Sequence, residues 1–144
     1  MSVLNHVFLA HGLLESVLAV GCIVSPQRAV SAIFVAPEKL EPFVEGVARL
    51  FGSSLLSTCA VAFLCAPLPN VLPCKRNAGL GLMLYHILAA VQFWHYRNST
   101  GLVQPNVAYG ATALHAVMAL AFYLHWNVSG RQVKEFNQAQ KKSK

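Results

Sequence analysis

The sequence contains no aspartate, and its only acidic residues are five glutamates. Charged residues make up 11% of the 144-residue chain, whereas a soluble domain normally carries about 25%. Such a chain has too little charge to cover a water-facing surface. Hydrophobic residues account for 56% of the chain and are gathered into long runs. The composition therefore argues against a soluble protein and predicts one domain whose natural solvent is lipid.

The chain also lacks a C-x-x-C motif, although it has four cysteines. This absence argues against a zinc knuckle and against a thioredoxin-type redox pair. Three of the cysteines lie in apolar runs, where cysteine behaves as a small hydrophobic residue. Nucleic-acid binding is not predicted either, because the net charge of +6 is concentrated in the tail and no binding motif or aromatic-basic pattern accompanies it.

Four apolar segments are long enough to cross a bilayer, which takes about 20 residues at about 1.5 Å each. They cover residues 3–24, 41–66, 77–96 and 105–126. The first segment lacks a basic n-region and is interrupted by Glu15, so we expect it to remain as a span and not to be cleaved as a signal peptide. The sequence thus predicts an all-α polytopic protein, with a four-transmembrane-helix bundle in residues 1–130 and a basic cytosolic tail in residues 131–144.

Lysine and arginine are distributed unequally between the two sides of this bundle. The side with the N-terminus, the 67–76 loop and the tail carries seven, and the opposite side carries three. Because basic residues favour the cytosolic side, we expect both termini to be cytosolic. Interfacial lysines alone could account for the tail, but its end, Lys141-Lys142-Ser143-Lys144, also matches a dilysine signal for retrieval to the endoplasmic reticulum (ER). The sequon Asn98-Ser99-Thr100 lies in a loop predicted to be lumenal and is a candidate glycosylation site.

Ionisable residues within the predicted spans are unexpected, because a charged group at mid-bilayer costs about 2.5–3.5 kcal/mol on insertion scales. Every predicted span nevertheless contains at least one. The site candidates among them are His11 and Glu15 in the first span, Glu45 and Arg49 in the second, His86 in the third and His115 in the fourth.

Depth along the helices predicts which of these side chains can meet. At about 1.5 Å per residue, His11, Glu15, His86 and His115 all lie within about 4 Å of the midplane. Arg49 lies about 7 Å towards the lumen, and Glu45 lies near the lumenal edge. We therefore expect a polar pocket inside the membrane.

Three interpretations of this pocket stay open. The polar residues could be structural contacts between helices. They could form a catalytic pocket in which Glu15 and a histidine act as acid and base while Arg49 stabilises negative charge. They could also bind zinc or iron through three histidines and a carboxylate, but no H-x-x-x-H or E-x-x-H pair is present. The six residues are therefore assigned as catalytic candidates, no metal site is assigned, and the cofactor stays unknown.

The segment Glu45-Gly46-Val47-Ala48-Arg49-Leu50-Phe51-Gly52, which opens the second span, resembles the DoxX-like group of small four-helix membrane proteins. The size, span layout and tail are also similar to compact ER membrane proteins encoded in fungal natural-product gene clusters. That resemblance implies epoxide-forming, epoxide-opening or cyclising chemistry on lipophilic intermediates, but it transfers no catalytic residue. Vitamin K epoxide reductases also have four spans, and the missing C-x-x-C argues against their thiol chemistry.

The function that we expect is that of an ER membrane enzyme acting on a lipophilic small molecule in a biosynthetic, secondary-metabolite pathway. Its expected partners are the lipid bilayer, this substrate, and a membrane-protein partner or a second copy of the chain. The alternative is a non-catalytic subunit of the ER membrane that binds lipid or assists assembly.

Overall fold

The computed structural model describes residues 5–35, 38–98 and 102–142. Within these ranges the chain forms five helices and no strand beyond one isolated bridge. The helices are α1 (His6–Val24), α2 (Pro26–Ile33), α3 (Pro42–Cys65), α4 (Pro73–Tyr96) and α5 (Pro105–Lys142). The all-α prediction is confirmed. The beginning of the first span, most of the sequon and the last two residues of the dilysine signal lie outside the described residues.

Proline sets the starting points of these helices. Four of the five begin with a proline at their first residue. A proline at this position loses no hydrogen bond, since the first N–H groups of a helix have no partner within it. The proline-containing breaks in the sequence therefore coincide with helix boundaries. Two features were not predicted: α2 lies in the expected 25–40 loop, and α5 continues through the basic tail to Lys142.

Three helices, α1, α3 and α5, are long and apolar enough to cross a membrane. Helix α4 has the same length as α3, 24 residues, but it is not among them. Its sequence is less apolar because polar side chains such as Tyr85, His86 and Gln92 interrupt it. Three of the four predicted spans are thus supported by the length and composition of their helices. The fourth span stays a prediction.

The bundle has an apolar surface and buries several polar side chains. Large hydrophobic side chains cover its surface, with Phe43 80% and Val17 76% exposed. In contrast, His11 and Lys75 are fully buried. Soluble proteins bury apolar residues and keep contiguous exposed apolar patches small. This reversed arrangement is that of a protein surrounded by lipid.

The helices pack mainly as two pairs, α1 with α3 and α4 with α5. The first pair is close because glycine lies at the crossing. A Cβ atom on Gly52 would lie 2.7 Å from the backbone oxygen of Ala19 and 2.8 Å from the Cβ of Cys22. A buried cluster that includes Phe8, Leu82 and Phe122 joins the two pairs.

Each end of the bundle is closed by hydrogen bonds. At one end, the ammonium of Lys75 donates to the side chain of Asn5 at 2.7 Å and to the backbone oxygens of Ala66 and Leu68 at 3.1 and 2.8 Å. At the other end, the segment that follows α2 pairs with the segment that precedes α5, and Val35 N donates to Leu102 O at 3.1 Å. This second closure places α2 over the cavity described below.

Candidate functional site

Four of the six candidate residues meet at the centre of the bundle. His11 and Glu15 lie one turn apart on α1 and share its buried face. His86 comes from the middle of α4 and His115 from α5, and all four side chains are buried. We call these four residues the central cluster. Its convergence agrees with the depths predicted from the sequence.

Hydrogen bonds link the three histidines in a row. His11 Nδ1 lies 3.0 Å from His86 Nε2. The other nitrogen of His86, Nδ1, lies 2.8 Å from His115 Nδ1. The carboxylate of Glu15 closes the group, with Oε1 3.8 Å from His115 Nδ1. His86 is therefore the central member, since both of its ring nitrogens face another histidine.

Two hydroxyl groups extend the central cluster. Tyr85 donates its phenolic hydrogen to Oε2 of Glu15 at 3.2 Å. Thr58, on α3, lies 3.4 Å from His11 Nε2 and donates its own hydrogen to Leu55 O at 2.8 Å. Tyr85 was recognisable from the sequence as a polar residue beside His86. Thr58 was missed, because a threonine inside an apolar helix usually bonds only to its own backbone.

The hydrogen bond of Thr58 determines the direction of the whole row. Its hydroxyl gives its hydrogen to Leu55, so it accepts from the Nε2–H of His11. A neutral His11 then accepts at Nδ1 from the Nε2–H of His86, and a neutral His86 accepts at Nδ1 from His115. All three rings can be neutral with every bond satisfied. A neutral row is the form that a membrane interior tolerates best.

A cavity of about 380 Å³ opens beside the central cluster, with lining residues from all five helices or their ends. Of the described residues that line it, Glu15, Tyr85 and His115 are polar, and the others are apolar or aromatic. An apolar pocket with a few convergent polar groups is the usual form of a small-molecule site. A second cavity of about 380 Å³ is lined, among the described residues, by apolar side chains and one cysteine, and it shares Leu18, Ile33, Phe34 and Phe51 with the first.

Glu45 and Arg49 do not join the central cluster. They form an ion pair with each other at 2.7 Å, with side chains 43% and 46% exposed. Arg49 also donates to the backbone oxygen of Ile23. Helix α3 buries the face that carries Ala48 and Leu55, and Arg49 lies to one side of that face. The predicted role of Arg49 in a central pocket therefore has no geometric support.

No protein-family model, curated protein or solved structure matches this chain.

Proposed function

We propose that the protein is a membrane-embedded enzyme that acts on a lipophilic small molecule by acid–base chemistry. The observation that carries this proposal is the cavity on which three polar side chains converge: Tyr85 donates to Glu15 at 3.2 Å, and His115 lies 3.8 Å from the same carboxylate. Its apolar wall suits a lipophilic substrate, and the polar groups lie together where that substrate would react.

The proposal gives complementary roles to two of these groups. In an epoxide opening or a cyclisation, a base takes a proton from the attacking hydroxyl while an acid protonates the oxygen that leaves carbon. Glu15 is the base, and the Tyr85 hydroxyl, which already points at this carboxylate, is the acid. The proton on Glu15 then returns to the Tyr85 phenolate, so both groups end as they began. The ring of His115 lies beside the carboxylate, with Nδ1 3.8 Å from Oε1 of Glu15, and its hydrogen bond to His86 holds it in place.

The same proposal includes four spans, cytosolic termini and residence in the ER. A fourth span is supported by the two faces of α4. Its exposed side includes Leu84, Leu88 and Val91, while His86 and Gly79 face inward. Of the polar residues that lower its apolarity, His86 is buried and Tyr85 is partly buried, whereas Gln92 is exposed. Orientation and ER residence rest on the basic residues of the loops and tail.

The catalytic proposal is tested by comparing the lipophilic metabolites of cells that express the natural protein or a variant. Glu15→Gln keeps the size of the side chain but removes its basicity, so we expect at least about a 10²-fold loss of product. Glu45→Gln is the matched control, since Glu45 lies outside the central cluster, and it should keep product formation. Full product formation by Glu15→Gln, at equal protein level, would overturn the proposal.

A lipid-binding protein without catalysis is the second candidate. The second cavity favours it, because its described lining is apolar and such a site binds a hydrocarbon chain without needing reactive groups. In that case no metabolite changes when the protein is expressed, and lipid extracted from the purified protein is found unmodified.

A further inference from the structure

We propose that His11, Glu15 and His86 bind a divalent transition metal, zinc or iron. One side-chain donor atom from each of these buried residues lies within 4.8 Å of the other two. Two histidines and one carboxylate form a recurrent ligand set for catalytic zinc and for non-haem iron. Because the three ligands come from two helices far apart in the sequence, no short sequence motif contains all of them.

The distance between the two imidazoles fits this site. Zinc binds histidine nitrogen at about 2.0–2.1 Å, which separates two ligands of a tetrahedral ion by roughly 3.4 Å. His11 Nδ1 and His86 Nε2 are 3.0 Å apart. An ion replaces the hydrogen shared by these nitrogens when the rings move apart by a few tenths of an ångström.

The outer contacts of the three ligands strengthen the inference. A histidine that binds a metal normally donates its other N–H to a neighbouring acceptor, which fixes the orientation of the ring. His11 donates from its far nitrogen to Thr58. With Nε2 bound to the ion, His86 carries its hydrogen on Nδ1 and donates it to His115, which reverses the direction of this bond in the metal-free row. Tyr85 holds one oxygen of Glu15 and leaves the other oxygen available as a ligand. Each of the three ligands is thus oriented by a hydrogen bond on the side away from the ion.

The proposed ion lies beside the cavity, since Glu15 is shared by both. Three protein ligands leave a coordination position for water or for an oxygen of the substrate. The inference goes beyond the proposed catalysis and does not depend on it, because metal content is measured on purified protein without any activity.

The experiment measures metal by mass spectrometry in the full chain, expressed in cells and purified in detergent without chelator. We expect about one equivalent of zinc or iron per chain. Glu15→Gln and His86→Asn should lower this content at least about tenfold. Two controls should retain it: Glu45→Gln, and His125→Asn, whose histidine is equally buried but has no hydrogen-bond partner among the described residues.

A second measurement on the natural protein does not depend on how the variants fold. Protein stripped of metal is titrated with Co²⁺, whose visible absorption reports nitrogen and oxygen ligands. Saturation near one equivalent supports the site, and Thr58→Val should weaken Co²⁺ binding about 10–100-fold. Less than about a tenth of an equivalent of metal, together with no Co²⁺ absorption, would overturn the inference. That result would leave the proposed catalysis standing if Glu15→Gln still loses product.

Discussion

The Nδ1 atoms of His86 and His115 lie 2.8 Å apart, and the opposite nitrogen of His86 faces His11 at 3.0 Å. One imidazole ring thus connects the α4–α5 pair with α1, the partner of α3. Polar contacts between helices in membranes contribute about 0.6 kcal/mol on average. The connection therefore fixes the relative position of the helices and adds little to the total stability. Close packing has to hold the helices together.

Gly52 and Gly46 provide a direct test of that packing. A Cβ on Gly52 would meet backbone and side-chain atoms of α1, while a Cβ on Gly46 would have no atom within 4 Å among the described residues. Gly52→Ala should therefore destabilise the protein by about 1–3 kcal/mol. Gly46→Ala should be neutral or stabilising, by up to about 1 kcal/mol, because alanine favours the helix. Thermal unfolding in detergent measures both, and equal effects would contradict the close crossing of α1 and α3.

The positions of the four long helices could be predicted because long apolar runs and prolines mark them directly. Helix α2 was missed because it has only eight residues, which are amphipathic and lie between two predicted spans. Such a short segment is expected to be a loop. The extension of α5 was missed because polar residues after an apolar run indicate where the chain leaves the membrane. They do not indicate where the helix ends. The continuation after Arg131 is rich in Gln and Lys, which are good helix formers.

The depth of each site residue in the membrane could be predicted from the sequence. The rotation of each helix about its own axis could not. Position along a span gives depth at about 1.5 Å per residue, and this correctly brought His86 and His115 to the level of Glu15. Whether a side chain faces inward depends on which face of its helix packs, and the sequence alone does not show which face of α3 packs against the other helices. Arg49 was therefore placed in the pocket, whereas the structure pairs it with Glu45 on the surface.

The orientation of α4 can be tested with cysteine labelling. Cys74 lies at the start of α4 and is exposed, whereas Cys22, Cys59 and Cys65 are buried. In sealed microsomes, whose outer face is cytosolic, a maleimide that cannot cross membranes should label Cys74. A cysteine at Leu102, introduced together with Cys74→Ser, should be protected until detergent is added. If both positions react equally in sealed vesicles, α4 does not cross the membrane.

Removing the hydroxyl of Tyr85 distinguishes catalysis from lipid binding more clearly than replacing any charged residue of the site. Tyr85→Phe removes one oxygen, keeps the ring and leaves the cavity shape unchanged. The lost contact with Glu15 is a single interhelical hydrogen bond, so the change in stability should be near the average of about 0.6 kcal/mol. A group that donates a proton or a hydrogen bond to developing negative charge has a much larger effect on rate, about 10²–10³-fold.

Tyr109→Phe is the matched control, because this tyrosine is 52% exposed and lies outside the central cluster. Product formation and thermal unfolding are measured on the same preparations of both variants. We expect Tyr85→Phe to lose product while its unfolding temperature stays close to that of the natural protein, and Tyr109→Phe to change neither. If Tyr85→Phe retains full product formation, the phenol is not the acid. Proton donation would then have to come from His115, which also lines the cavity and is a hydrogen-bond donor.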